Sequence, residues 1–235
     1  MMFRHIEQLL AAPRALTGAV RDGLGRMRED IQVVREKDPA VNSSTEVLLY
    51  PHIHALWLHR VAHLTYRHGH RTSARAIALF GRFVSGGIDI HPGARIGRRF
   101  FIDHGAGVVI GEHVEIGEDV MLYHLVTLGS VGWWHDIARG PDVKRHPTIG
   151  DSVVLGTAAT VLGAVTIGAG SRVGAHAVVL TTLEPGSRVP TGHVVRDQPP
   201  ADPAETPQQP VNGRHPHLPA SPPSLIKIAR SKDNG

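Results

Sequence analysis

From Ile90 onward an aliphatic residue returns at every sixth position: Ile90, Ile96, Ile102, Val108, Val114, Val120 and Val126. After an interruption the period resumes at Ile149, Leu155, Val161, Ile167, Val173 and Val179. Gly follows the aliphatic at Ile96–Gly97, Ile149–Gly150, Leu155–Gly156, Ile167–Gly168 and Val173–Gly174. Such a period is the mark of a hexapeptide solenoid. Three hexads complete one triangular coil, the aliphatics stack inward, and each coil covers its neighbour. Small corner residues permit positive φ. The predicted fold is mainly β: a left-handed parallel β-helix over residues 87–196, with an α-helical N-terminal domain over 1–86.

The upstream pattern is helical. Met27, Ile31 and Val34 share one face ahead of Asp38–Pro39, where Pro ends a helix. Ser43, Ser44 and Thr45 can cap a short helix. Ile53, Leu56, Trp57, Val61 and Leu64 form an apolar stripe at three- and four-residue spacing, Gly69 reads as a stop, and Ser73 can cap a last helix reaching Val84. The repeat breaks between Gly129 and Thr148, so residues 130–147 form an extruded loop, a place where binding groups concentrate on a rigid scaffold. Residues 197–235 are Pro-rich and polar, and read as a disordered tail.

Composition narrows the function. Cys is absent, which removes disulfides and thiol chemistry. No apolar run of about 18 residues occurs, so no membrane span is expected. The start is no convincing signal peptide, and a cytoplasmic protein is the default reading. The formal charge of +4 suits solubility or an anionic ligand. No nucleic-acid motif or dense basic run is present.

The motifs DIHPGARIG (89–97), FIDHGAGVVIGE (101–112), VTLG (126–129) and KRHPTIGD (144–151), preceded by REKDPAV (35–41) and LHRVAH (58–63), resemble the serine O-acetyltransferase family over about residues 30–185. The resemblance implies transfer of acetyl from acetyl-CoA, a co-substrate rather than a bound cofactor, to the L-serine hydroxyl, giving O-acetylserine for cysteine biosynthesis. It also implies a homotrimer or dimer of trimers with sites between neighbouring solenoids.

An alcohol attacking a thioester needs a base beside it. His104 is the candidate, since Gly105 and Gly107 leave room for substrate. A single corner histidine among 17 ordinarily does no more than hydrogen-bond its own coil; the motif context sets His104 apart. Asp89 matches the family carboxylate that orients the base, the logic of a triad without an enzyme nucleophile. Arg145 and His146 match the substrate pair, Arg145 gripping the α-carboxylate through its fork. Asp103 and Asp38 match the acidic groups that hold the ammonium. Gly129, Ser130, Thr157 and Ala175 match positions along the CoA groove, with Arg172 near its phosphate end. His59 and His63 are at metal-compatible spacing, but lack a third ligand and read as helix-surface histidines; no metal site is expected.

Three features depart from the family pattern. TLGSVG is followed by the insertion WWHDIARGPDV, in which Trp133 and Trp134 could form a lid or a subunit contact. GTAA (156–159) replaces GAGA. RVPTGHVVRDQ replaces GVPAR, and the family's terminal isoleucine is missing, so no cysteine synthase complex is expected. The insertion motivates an alternative, a CoA-dependent O-acyltransferase for a related hydroxy amino acid. A γ-type carbonic anhydrase shares the β-helix, but its close His pair is absent between His91 and His193. A non-catalytic trimer is the remaining alternative.

Overall fold

The computed structural model describes residues 22–132, 136, 140 and 143–196. Four helices come first: α1 (residues 22–37), α2 (Ser44–Val47), α3 (Pro51–Arg67) and α4 (Arg71–Val84). Fifteen short strands follow among the described residues: β1 (Asp89–Ile90), β2 (Arg95–Ile96), β3 (Phe101–Ile102), β4 (Val109–Ile110), β5 (Glu115–Ile116), β6 (Met121–Leu122), β7 (Thr127–Gly129), β8 (Thr148–Ile149), β9 (Val154–Leu155), β10 (Thr160–Leu162), β11 (Thr166–Ile167), β12 (Arg172–Val173), β13 (Val178–Val179), β14 (Arg188–Val189) and β15 (Val194–Val195). Strands pair in parallel with every third strand along the chain, except at the end, where β12 pairs with β14 and β13 with β15. The first sheet is β1-β4-β7-β10-β13-β15, the second β2-β5-β8-β11, and the third β3-β6-β9-β12-β14. This is the predicted triangular solenoid.

The phase of the repeat differs from the continuous six-residue reading. Ile90 stacks on Ile110 and Ile102 on Leu122, so the first coil takes 20 residues, whereas Ile149 stacks on Ile167, an 18-residue coil. The two added residues lie in the corner after Ile102. They shift the strand aliphatics to Ile110, Ile116, Leu122 and Leu128, while Val108, Val114, Val120 and Val126 become a second inward row. Both rows are fully buried, which is why the six-residue period survives the slip. The corrected phase also restores Gly after the aliphatic at Gly111 and Gly117. These glycines serve coil-to-coil approach rather than left-handed backbone: a Cβ on Gly150 would stand 2.7 Å from the Ala169 amide nitrogen. Positive φ falls on corner glycines such as Gly105, Gly107, Gly170, Gly186 and Gly192, as expected of small residues, but also on Arg99, His104, Asp119, Leu125, Ser152, Ala158 and His176, a less selective set than expected. Residue 116 pairs with 149, so that coil spans 33 residues, its extra length falling between β7 and β8. Trp133 and Trp134 lie outside the described residues, as does the tail from 197.

The helices close one end of the solenoid and cover part of one face. Ala55 and Leu56 of α3 join the core beside Ile88 and Ile90. Val33, Val34, Val47 and Ile53 bury against Phe101, and Met121 packs on the same cluster, on the outer face of the third sheet. Asp30 is buried and fully partnered, accepting from Arg60 Nη2 at 2.7 Å and Trp57 Nε1 at 2.9 Å, which ties α1 to α3. Arg98 and Arg99 anchor Glu29 and Glu36 of α1 to the corner of the first coil.

Ser43 caps α2, accepting from the Glu46 amide, and Gly69 ends α3 with φ +85°. Two expectations change. Val61 and Leu64 are 53% and 58% exposed; the buried face of α3 passes through His52, His59 and Ala62, so His59 is a core histidine and not a surface one. α4 begins at Arg71, placing Ser73 inside its first turn, because the αL glycine at 69 already reverses the chain.

Candidate functional site

His104 sits in the enlarged corner between the third and first sheets. Its φ is +62°, and Gly105 and Gly107 follow with positive φ. A β-carbon on Gly105 would strike Ile88, so the corner is held close to the core while the imidazole projects outward, its side chain 76% exposed. The nearest carboxylate oxygen to its Nε2 is Asp103 Oδ1, at 3.7 Å. Asp89, at the start of β1, is engaged elsewhere: Arg82 Nη1 donates to its Oδ2 at 3.2 Å, and the orienting contact to His104 is not made in the single chain.

Asp38 is brought toward this corner by the turn after α1. One carboxylate oxygen accepts from the Ala40 amide and the other from the Tyr50 hydroxyl, both at 2.8 Å. Burial, then the Asp38 hydrogen bond, push the Tyr50 hydroxyl up to about 12, and the charge of Asp103 acts in the same direction. Asp38 and Asp103, 65 positions apart in the chain, therefore face one tyrosine. Tyr50 carried no signal in the sequence beyond its place before a helix-starting proline.

Arg145 and His146 lie at a different corner, between the first and second sheets, where the long loop returns to β8. Glu112 holds Arg145: its Oε2 accepts from Arg145 Nη2 at 2.6 Å and its Oε1 from the Tyr66 hydroxyl at 2.7 Å. Burial opposes ionisation of Glu112, but the Tyr66 hydrogen bond and the neighbouring His91, His113 and Arg145 outweigh it and hold the carboxyl below its usual range. Among the described residues Glu112 is the one acceptor of Arg145, and it engages only Nη2. His146 is buried, and its Nδ1 accepts from the His113 amide at 3.2 Å. Burial, then the charge of Arg145, lower its pKa to about 4, so the ring is neutral near pH 7. Gly111 has no β-carbon because one would overlap this imidazole. Tyr66 and Glu112 were missed in the sequence, although Glu112 stands inside the quoted FIDHGAGVVIGE motif.

The residues expected along a CoA path divide between the two corners. Thr157 and Ala175 continue the corner of His104 upward, coil by coil: the Leu125 amide donates to Ala106, Ala158 to His124 and His176 to Thr157. Arg172 is exposed on β12 of the third sheet, which leads into that corner. Gly129 and Ser130 lie at the Arg145 corner. Among the described residues no group of three or more His, Cys, Asp or Glu is arranged to hold a metal ion, and no helix is long and apolar enough to cross a membrane.

The bacterial transferase hexapeptide family (six repeats) matches residues 146–181. A serine acetyltransferase of Mycobacterium tuberculosis is 51% identical over 167 residues, 71% of this chain and 69% of the relative. One from Helicobacter pylori is 51% identical over 158 residues, 67% of this chain and 88% of the relative. Among solved structures, soybean serine acetyltransferase complexed with serine matches with a TM-score of 0.64 at 42% identity, covering 71% of this chain and 65% of that one. The chain thus spans slightly less than two thirds of the soybean protein. Identity of 51% over more than two thirds of both this chain and its Mycobacterium tuberculosis relative means that the chain belongs to the serine acetyltransferase family.

Proposed function

We propose that this protein transfers acetyl from acetyl-CoA to the hydroxyl of L-serine, the step that supplies O-acetylserine to cysteine biosynthesis. His104 Nε2 takes the hydroxyl proton as the oxygen attacks the thioester carbonyl. The C–S bond of the tetrahedral intermediate then breaks, and the proton returns from the imidazolium to the departing CoA sulfur. Asp89 stabilises the imidazolium, Asp38 and Asp103 receive the serine ammonium, and Arg145 receives its carboxylate, with His146 beside it. Thr157, Ala175 and Arg172 line the path of CoA, with Gly129 and Ser130 contributed from the opposite corner.

The observation that carries this reading is the division of the machinery between two corners flanking one face. Beyond Asp89 the outer positions of the first sheet are Val109, Thr127, Thr160, Val178 and Val194, without a charge, and exposed Leu125 and Val131 border it. The second sheet presents Arg95 and Glu115, and the third presents Arg172 and Arg188. An uncharged face between two complementary half-sites is suited to a heterologous contact that closes into a ring. In a homotrimer, or a pair of trimers, the His104 corner of one copy meets the Arg145 corner of the next. The site is cytoplasmic in this account, since the polyanionic co-substrate does not cross membranes unaided.

A CoA-release assay with acetyl-CoA and L-serine, run beside homoserine and threonine, tests the reading. Serine is expected to be the best acceptor. Release with another acceptor and not with serine would replace it with the related hydroxy amino acid transferase, the loop at 130–147 having redirected the site.

A further inference from the structure

His104 has little to hold it. It occupies a left-handed corner with glycines at the first and third following positions, its imidazole is largely exposed, and Asp103 at 3.7 Å lies beyond hydrogen-bonding distance. A base must nevertheless keep one nitrogen aimed at the acceptor hydroxyl. The one ring that touches it among the described residues is His124, one coil further on, with centroids 5.9 Å apart and planes at 80°. This is the edge-to-face geometry that aromatic rings prefer.

The coil presents His124 firmly. Its carbonyl accepts from the Ala158 amide at 3.0 Å, and the Leu125 amide beside it donates to Ala106 at 2.8 Å, so the coils on both sides fix its backbone. Among the described residues its buried Nδ1 has no hydrogen-bond partner. An orphaned buried nitrogen is costly, and an apolar side chain of similar size would fill the place without that penalty. The fold nevertheless places an imidazole there, against the ring of the candidate base.

We propose that His124 is a positioning residue that sets the ring orientation of His104 by edge-to-face packing. The proposal rests on His104 being the base of the acetyl transfer. His124 then touches neither substrate and acts only through His104. Replacing the ring lowers turnover and leaves substrate affinity alone.

Three enzymes with one added measurement test this. His124→Ala is expected to lower kcat about fivefold, the rate equivalent of a typical aromatic pair, with both KM values within about twofold. His124→Phe, which keeps a ring edge, restores most of kcat. In a His104→Ala background His124→Ala produces no additional loss, because the residue through which it acts is gone. Additive losses, a change confined to KM, or failure of Phe to rescue would overturn the proposal. NMR of the His104 ring protons gives a readout free of turnover: the resonance shifts in His124→Ala and returns toward its original position in His124→Phe. An unchanged resonance overturns the contact. A wild-type protein inactive on serine, yet with the His104 resonance sensitive to His124, would sink the acetyl-transfer reading and leave the contact standing.

Discussion

Imidazole does two opposite jobs in this protein. His52, His59 and His146 are buried and neutral, their pKa values lowered to about 4, about 3 and about 4, chiefly by burial, while His104 stands in solvent at a corner. Each buried ring has a folded pKa below its unfolded value near 6.5, so below pH 6.5 the unfolded chain takes protons that the folded chain refuses. Their contribution to stability is therefore complete above pH 6.5 and is lost as pH falls toward 4, at about 1.4 kcal/mol per pH unit for each ring. Denaturant unfolding at pH 7 and pH 5 should show a marked loss at the lower pH, and His59→Phe should reduce the difference; equal stability at both values would contradict the burial argument. At the His104 corner, if this residue is the base as proposed, His104→Ala is expected to cut turnover at least about a hundredfold, the usual worth of a positioned base, with the fold intact by circular dichroism. At the other corner, Glu112→Gln weakens the grip on Arg145. The expected result is a severalfold rise in the KM for serine with the KM for acetyl-CoA unchanged.

The strands are two or three residues long, so their stability comes from stacking coil on coil and not from any strand alone. The glycines after the aliphatics are where this is least forgiving. Gly150→Ala would force the backbone of the next coil away and should cost about 1–3 kcal/mol, read as a fall of several degrees in the melting midpoint. At this scale the sequence was informative in proportion to how local the signal was. The six-residue period revealed the solenoid and its three-sided coil, because each inward aliphatic is set by its own hexad. The two-residue enlargement after Ile102 stayed hidden, because Val108 and Ile110 are both aliphatic and both buried, so either can be counted as the repeat position. The stripe on α3 misled for a related reason. Its buried face is lined partly by His52 and His59, whose polarity masks their place in the core. His104, Arg145 and His146 were singled out by motif context, whereas Tyr50, Tyr66 and His124 owe their positions to contacts with residues 12, 46 and 20 positions away, respectively, which no local pattern records.

At the scale of the whole molecule, the two half-sites cannot close on each other within one chain, since they stand on corners separated by the full width of the first sheet. On the proposed reading the assembly is part of the chemistry, with the uncharged face between the corners serving as both the contact surface and the wall of the site. A charge placed on that face, as in Thr160→Glu, should dissociate the ring in sedimentation experiments and abolish turnover together. The most direct test mixes two dead enzymes. His104→Ala and Arg145→Ala are each expected to be inactive as pure assemblies. Unfolded and refolded together in equal amounts, they assort at random, and about a quarter of all interfaces combine an intact His104 corner with an intact Arg145 corner. About a quarter of wild-type activity is expected to return in the mixture; a mixture as inactive as its two components would contradict a site shared between neighbouring copies.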